Sequence, residues 1–219
     1  MKVVLFGNRE FASLAWYVLS HDSPHEVVGF TVDEAYLTDA THHGLPVVPF
    51  EQVEQFFSPL ETRMLLPIGP HDANRVRQRK YLQAKSKGYE FISYVSSRAI
   101  TCPDLDVGEC SMIFDGAIIQ PFAKIGTGVI IRSGCHVSHH VEIGDFSFLA
   151  AQAVTGGMTK IGSHCFLGLN SIVIDNINVA ELCTIGAGAV VTADTSENGI
   201  YVGAPARRRP RPSDEVNSS

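Results

Sequence analysis

Basic residues are in the minority: 17 Lys and Arg stand against 23 Asp and Glu, a formal net charge of −6 at pH 7. A nucleic-acid partner would favour a basic face, so that class of function is disfavoured. No apolar run reaches the roughly 18 residues that a membrane span needs. The opening "MKVVLFGNRE" meets a glycine too early for a signal peptide. The five cysteines are odd in number and contain no CxxC pair, so they read as reduced thiols in a cytoplasmic protein rather than a disulfide framework. A dinucleotide fingerprint, G-x-G-x-x-G, is also missing; "GNREFA" has only Gly7, which argues against NAD.

What is present divides the chain in two. Over residues 2–100, strand-like and helix-like stretches alternate. "KVVLFG" is a continuous apolar run ending in glycine, as a buried parallel strand is. After it, Phe11, Leu14, Ala15 and Val18 recur at helical spacing. "HEVVGFTVDE" predicts a second strand ending at Asp33, and "TRMLLPIG" a third ending at Gly69. "ANRVRQRKYLQAKSKG" predicts a helix closed by Gly88. This alternation predicts a small α/β domain with a parallel, doubly wound, Rossmann-like sheet.

Residues 101–206 repeat instead. Every sixth residue from Val107 to Val191 is aliphatic, with Thr155 the single break. The residue four places after each is mostly small, as in Ser111, Ala117, Cys135, Ala153, Cys165 and Ala189. Two such columns in phase mean short strands, tight turns and a narrow interior filled alternately by large and small side chains. The "-IG-" pairs at Ile125, Ile143 and Ile161 are three hexads apart, so one coil is three-sided. The fold expected is a parallel β-helix. Cys135, Cys165 and Cys183 fall in its small interior column, where they pack rather than react. The remainder, 207–219, is proline-rich, charged and polar, and reads as a disordered tail.

In "SGCHVSHHVEIGDFSF" the interior phase takes Cys135, Val137, Val141 and Ile143, leaving His136, His139 and His140 outside. By the same phase Gly157 stacks over His139 on the next coil. A glycine there leaves room on the wall for a ligand approaching the imidazole. Three chemistries remain open for this cluster. One is a metal site, which fits poorly because His164 stacks over Phe146 instead; the others are a solvated edge and general-base proton transfer.

These hexads, together with "VVLFGNREFASLAWYVL" and the closing "TIGAGAVVTADTSENGIYVGAPARR", resemble the left-handed β-helix acyltransferases. The branch is that of the bacterial nucleotide-sugar acetyltransferases, which includes the sialic-acid O-acetyltransferase and the bacillosamine-pathway N-acetyltransferase. The resemblance implies an acetyl-CoA-dependent N-acetyltransferase acting on a nucleotide-linked amino-deoxy sugar in surface-glycan (O-antigen) biosynthesis, and a cytoplasmic homotrimer with no metal. His139 matches the family's general base, and His140 stands where an acid is usual. Phe148 stands where a second histidine is common, and Arg132 where an asparagine is. Acetyl-CoA is expected along the β-helix between subunits, near Phe148, Gly156, Gly157, Gly168 and Ala187, with the amides of the coil carrying Gly156 and Gly157 facing the oxyanion. The nucleotide sugar is expected at Gly7, Asn8, Asp33 and Gly69, with Arg132 nearby. The rival readings are sugar O-acetylation on the same fold, a catalytically silent scaffold, and a metalloenzyme like the β-helix carbonic anhydrases.

Overall fold

The structure is a computed structural model and describes residues 1–210. The run Lys2–Phe6 forms β1, buried at every position but its first. Helix α1 covers Glu10–Asp22 and β2 covers Glu26–Val32. A hairpin follows, β3 (Thr41–His42) and β4 (Leu45–Pro49), then the short helix α2 (Val53–Phe56), β5 (Thr62–Leu65) and α3 (Arg75–Ser86). The sheet order is β3-β4-β2-β1-β5, parallel throughout except for the β3–β4 hairpin. Strand β4 was not predicted, because Pro46 and Pro49 punctuate its apolar run and strand-interior prolines argue against a central strand. It is tolerated one strand from the sheet edge.

Helix α1 buries Ala12, Ala15, Val18 and Leu19. Phe11 and Leu14 are half-buried on its other side, and Phe11 stacks on Phe114 at 6.1 Å and faces Phe148 at 6.4 Å. The helix is apolar on two sides because it packs against the second half of the chain as well as against its own sheet.

The second half is a three-sided left-handed prism. Each strand is two residues long and pairs in parallel with the strand one coil away, as in Lys124↔Glu142 and Ile125↔Ile143. Its first strand, Tyr94–Val95, pairs with Met112–Ile113 and so begins upstream of residue 100. The aliphatic column points inward as predicted: Ile113, Ile131, Leu149, Leu167 and Ile185 are wholly buried. Each such side chain contributes roughly 1.5–3 kcal/mol by leaving water. Thr155, the break in the column, is also wholly buried, and its hydroxyl has no hydrogen-bond partner among the described residues. Hydroxyls and thiols of the small column close the interior by donating to carbonyls of the next coil, as Ser147 does to Gly162 (2.8 Å) and Cys165 does to Ala180 (3.1 Å).

The turns have a column of their own. Every sixth residue from Cys110 to Gly188 has a positive φ, whatever its side chain. His140, Phe146, Met158 and His164 all belong to it. A left-handed residue is costly for a bulky side chain, and repeated coil packing over-determines it here.

The three faces differ. The first, with strands such as Ile130–Ile131 and Phe148–Leu149, is covered by the N-terminal half: Met112, Phe114, Ile130 and Phe148 share one core with β1, β2 and β5. The second presents Ile118, His136, Val154, Ile172 and Val190 outward. The third carries Asp106, Lys124, Glu142, Lys160 and Asn178. At the end of the prism, Arg207–Arg209 pair antiparallel with Ile200–Val202. The expected disorder from 207 is corrected for that strand, which finds a free sheet edge; residues 211–219 lie outside the described residues. Among the described residues, no helix is long and apolar enough to cross a membrane.

Candidate functional site

The candidate residues gather in three places. The first is the corner between the second and third faces, where His139 and His140 sit one coil from Gly156 and Gly157. His139 is exposed. Its amide donates to Gln120 Oε1 at 2.9 Å and its carbonyl accepts from the Met158 amide at 3.0 Å, which holds the turn to both neighbouring coils. Its ring lies on Gly157: a Cβ there would stand 2.7 Å from Cε1 and 2.8 Å from Nε2. The space above the glycine is therefore filled by the imidazole itself, which corrects the expectation of an open gap for a ligand. His139 Nδ1 lies 3.2 Å from His140 Nδ1, and the His140 ring packs against Phe122 at 4.7 Å. His136 is a coil strand residue on the second face, between Ile118 and Val154.

Both glycine amides expected to face an oxyanion are already engaged. Gly156 N–H donates to the Val173 carbonyl at 2.8 Å, and Gly157 N–H donates to Asp175 Oδ1 at 2.6 Å. The ladder and the aspartate claim them, so this coil does not offer them to a reacting carbonyl.

The second place is a crevice of about 370 Å³ outside the carboxyl ends of β1, β2 and β5. It brings together Gly7, Asn8, Asp33 and Gly69, which are far apart in sequence. This is where a doubly wound sheet binds ligands, beside the free amides of a helix N-terminus. Asp33 is ion-paired with Lys80, whose ammonium lies 5.4 Å from the Phe6 ring and 5.1 Å from the Phe50 ring. Tyr36, Arg9 and His71 also line the crevice and were not singled out in the sequence, because nothing local to each marks it. Phe11 connects the crevice to the prism. The Arg132 guanidinium lies 5.1 Å from the Phe11 ring and 4.5 Å from Phe114, and burial lowers its pKa. Phe148, 8 % exposed, packs here against Phe11 and Phe166 rather than beside His139.

The third place is the corner between the first and second faces. Gly168 stacks on Gly186 there, beside Ala187, and a Cβ on Gly168 would stand 2.6 Å from the Ala187 amide nitrogen. Gly168 is thus required for coil spacing. This corner and the His139 corner bound opposite margins of the second face.

A clamp that the sequence did not reveal ties the crevice to the prism. Arg77 of α3 is wholly buried, and among the described residues it has only carbonyls as partners. Its Nε donates to the Gly128 carbonyl (2.8 Å), one terminal nitrogen to Ile68 (2.8 Å) and the other to Phe146 (2.6 Å). Asn74 adds a bond to the Cys165 carbonyl at 3.2 Å. Burial pushes the Arg77 pKa down to about 10, so the group stays charged at neutral pH and is balanced by carbonyl dipoles.

The interior cysteines have no reactive character. Burial raises the thiols of Cys135 to about 11 and of Cys165 to about 12. His164 stacks on Phe146 at 5.6 Å at another corner, with its pKa lowered by burial. Among the described residues, no three His, Cys, Asp or Glu side chains converge as ligands of one metal ion.

Residues 158–193 match the family described as the hexapeptide repeat of succinyl-transferase. Perosamine N-acetyltransferase from Caulobacter crescentus, in a histidine-to-asparagine variant complexed with CoA and GDP-perosamine, is 24% identical, with a TM-score of 0.86 over 96% of this chain and 98% of that one. The acetyltransferase domain of PglB from Neisseria gonorrhoeae FA1090, complexed with acetyl coenzyme A, is 20% identical, with a TM-score of 0.83 over 95% and 98%. WeeI from Acinetobacter baumannii AYE is 18% identical, with a TM-score of 0.66 over 95% and 100%. At these identities the likeness is one of fold, and it extends over both halves of the chain.

Proposed function

We propose that this chain transfers the acetyl group of acetyl-CoA to the amino group of a nucleotide-linked amino-deoxy sugar, with His139 as general base. The observation that carries the reading is the exposed His139 imidazole, seated on Gly157 with no hydrogen-bond partner for its Nε2 among the described residues. Imidazole is the side chain most used for proton transfer near neutral pH. The amine nitrogen attacks the thioester carbonyl, the C–N bond forms and Nε2 takes a proton from the amine. The C–S bond then breaks and the imidazolium returns the proton to the CoA thiolate. No covalent acyl-enzyme is needed, since the nearby Cys135 is buried and its thiol pushed up to about 11.

The nucleotide sugar belongs in the crevice at Gly7, Asn8, Asp33 and Gly69, with its diphosphate at the start of α1. Two solved structures of the same fold hold the matching ligands, CoA with GDP-perosamine in one and acetyl coenzyme A in the other. The crevice lies in the N-terminal half, which packs on the first face, whereas His139 sits at the corner between the second and third faces of the same chain. A homotrimer in which one subunit's crevice meets the next subunit's His139 completes the site and covers the apolar second face. Such a donor and acceptor fit a cytoplasmic enzyme of surface-glycan synthesis.

The test is a panel assay. The protein is incubated with acetyl-CoA and GDP-, UDP- and dTDP-linked amino sugars, and thiol release and product mass are followed. Amine acetylation of at least one sugar is expected. Transfer only to hydroxyl-bearing sugars would make it an O-acetyltransferase, and no transfer to any member would remove the reading.

A further inference from the structure

Among the described residues no carboxylate bonds the His139 ring, and its partner is a second imidazole. The Nδ1 atoms of His139 and His140 are 3.2 Å apart. Two ring nitrogens can share a hydrogen bond only if one carries the proton and the other the lone pair. Both rings are held for this contact. His140 has φ 58, a left-handed turn residue whose amide donates to the Pro121 carbonyl at 3.3 Å. Its ring leans on Phe122 at 4.7 Å, and the His139 ring lies edge-on to it at 84° between ring planes. Gly157 closes the other side of His139.

We propose that His140 is a positioning residue: its Nδ1 accepts the Nδ1–H of His139 and fixes the tautomer that leaves the lone pair on His139 Nε2. The inference rests on His139 being the base and names what replaces the missing acid. As His139 takes the proton from the amine, Nδ1–H stays directed at the His140 lone pair, so the ring does not swing out of line. A neutral acceptor stabilises the imidazolium less than a carboxylate does, which suits an amine, a better nucleophile than a hydroxyl.

Nitrogen-15 NMR of histidine-labelled protein reads the tautomer without any substrate. In the wild type, His139 Nδ1 is expected to be protonated and Nε2 bare; in His140→Leu, His139 should shift toward the Nε2–H form that free imidazole prefers. In turnover assays His140→Leu should lower kcat roughly 10–100-fold, the usual effect of losing an orienting partner, with KM little changed. Leucine is tolerated in this backbone, since Leu182 occupies the same turn column with φ 60. His140→Asn and His140→Asp keep an acceptor oxygen and tolerate a left-handed turn, and each should recover most of the loss. A wild-type His139 protonated on Nε2, or a His140→Leu enzyme with unchanged kcat, would overturn the dyad. The base reading is tested apart from it: full turnover in His139→Asn removes the base, whereas a silent His140→Leu beside an inactive His139→Asn removes only His140.

Discussion

The imidazole of His139 rests on the backbone of Gly157, so close that a single added methyl would stand 2.7 Å from its Cε1. The φ of Gly157 is not in the left-handed region; the neighbouring Met158 takes that conformation, with φ 58. Glycine is therefore present for the approach of the ring and not for backbone freedom. Gly157→Ala should push the ring off the wall and lower kcat at least about tenfold, since misplacing a catalytic group by about 1 Å is enough for that. The displaced group is an exposed side chain, so the melting temperature should hardly move. An alanine variant with full activity would show that the seat of the ring is irrelevant to turnover.

Replacing His139 itself tests the chemistry. His139→Asn should leave the fold intact, because the side chain is exposed and outside both interior columns. Turnover should fall roughly 10²–10⁴-fold, the ordinary contribution of a general base. Binding of acetyl-CoA, measured by calorimetry, should stay close to wild type.

Arg77 joins three stretches of chain, the crevice wall at Ile68 and the prism corners at Gly128 and Phe146. Arg77→Met would leave those buried carbonyls without donors, at about 1–3 kcal/mol for each that water cannot reach. Arg77→Lys cannot span them, because one ammonium lacks the planar fork. Urea denaturation should report a large loss for both variants. Where protein remains folded, KM for the nucleotide sugar should rise more than kcat falls, since the crevice moves while His139 does not. Wild-type stability in Arg77→Met would mean the clamp is not what joins the two halves.

Asp22, at the end of α1, accepts hydrogen bonds from Ser97, Tyr94 (2.7 Å) and Ser96 (2.8 Å). The Ser97 hydroxyl is the largest cause of a pKa held well below the usual carboxylate range. A depressed carboxylate contributes stability above its unfolded pKa and loses it as pH falls toward the folded one. The contribution should be complete at pH 7 and decline below about pH 4. Asp22→Asn should melt at a lower temperature than wild type at pH 7, with the difference narrowing under acid. A pH-independent difference would assign the effect to shape rather than charge.

The repeat was readable because it is local. A period of six, an interior phase and a glycine over His139 are properties of neighbouring or regularly spaced residues, and stacked coils turn sequence spacing directly into distance. The same logic placed Cys135, Cys165 and Cys183 inside and His139 outside. The N-terminal strands β1, β2 and β5 were equally legible as apolar runs, and Gly7 and Asp33 were marked as strand ends; the end expected at Gly69 is corrected, since β5 stops at Leu65 and Pro67 interrupts the run. Strand β4 escaped because its prolines speak against a strand until a neighbouring strand is there to pair with.

Only the tertiary structure decided what depends on irregular long-range contact. It gathered Gly7, Asn8, Asp33 and Gly69 into one crevice, turned Phe148 toward Phe11, and set Arg77 across the joint between the halves. None of these is periodic. Each depends on which of many candidate donors and acceptors the packed chain brings within about 3 Å, and no single stretch of sequence carries that information.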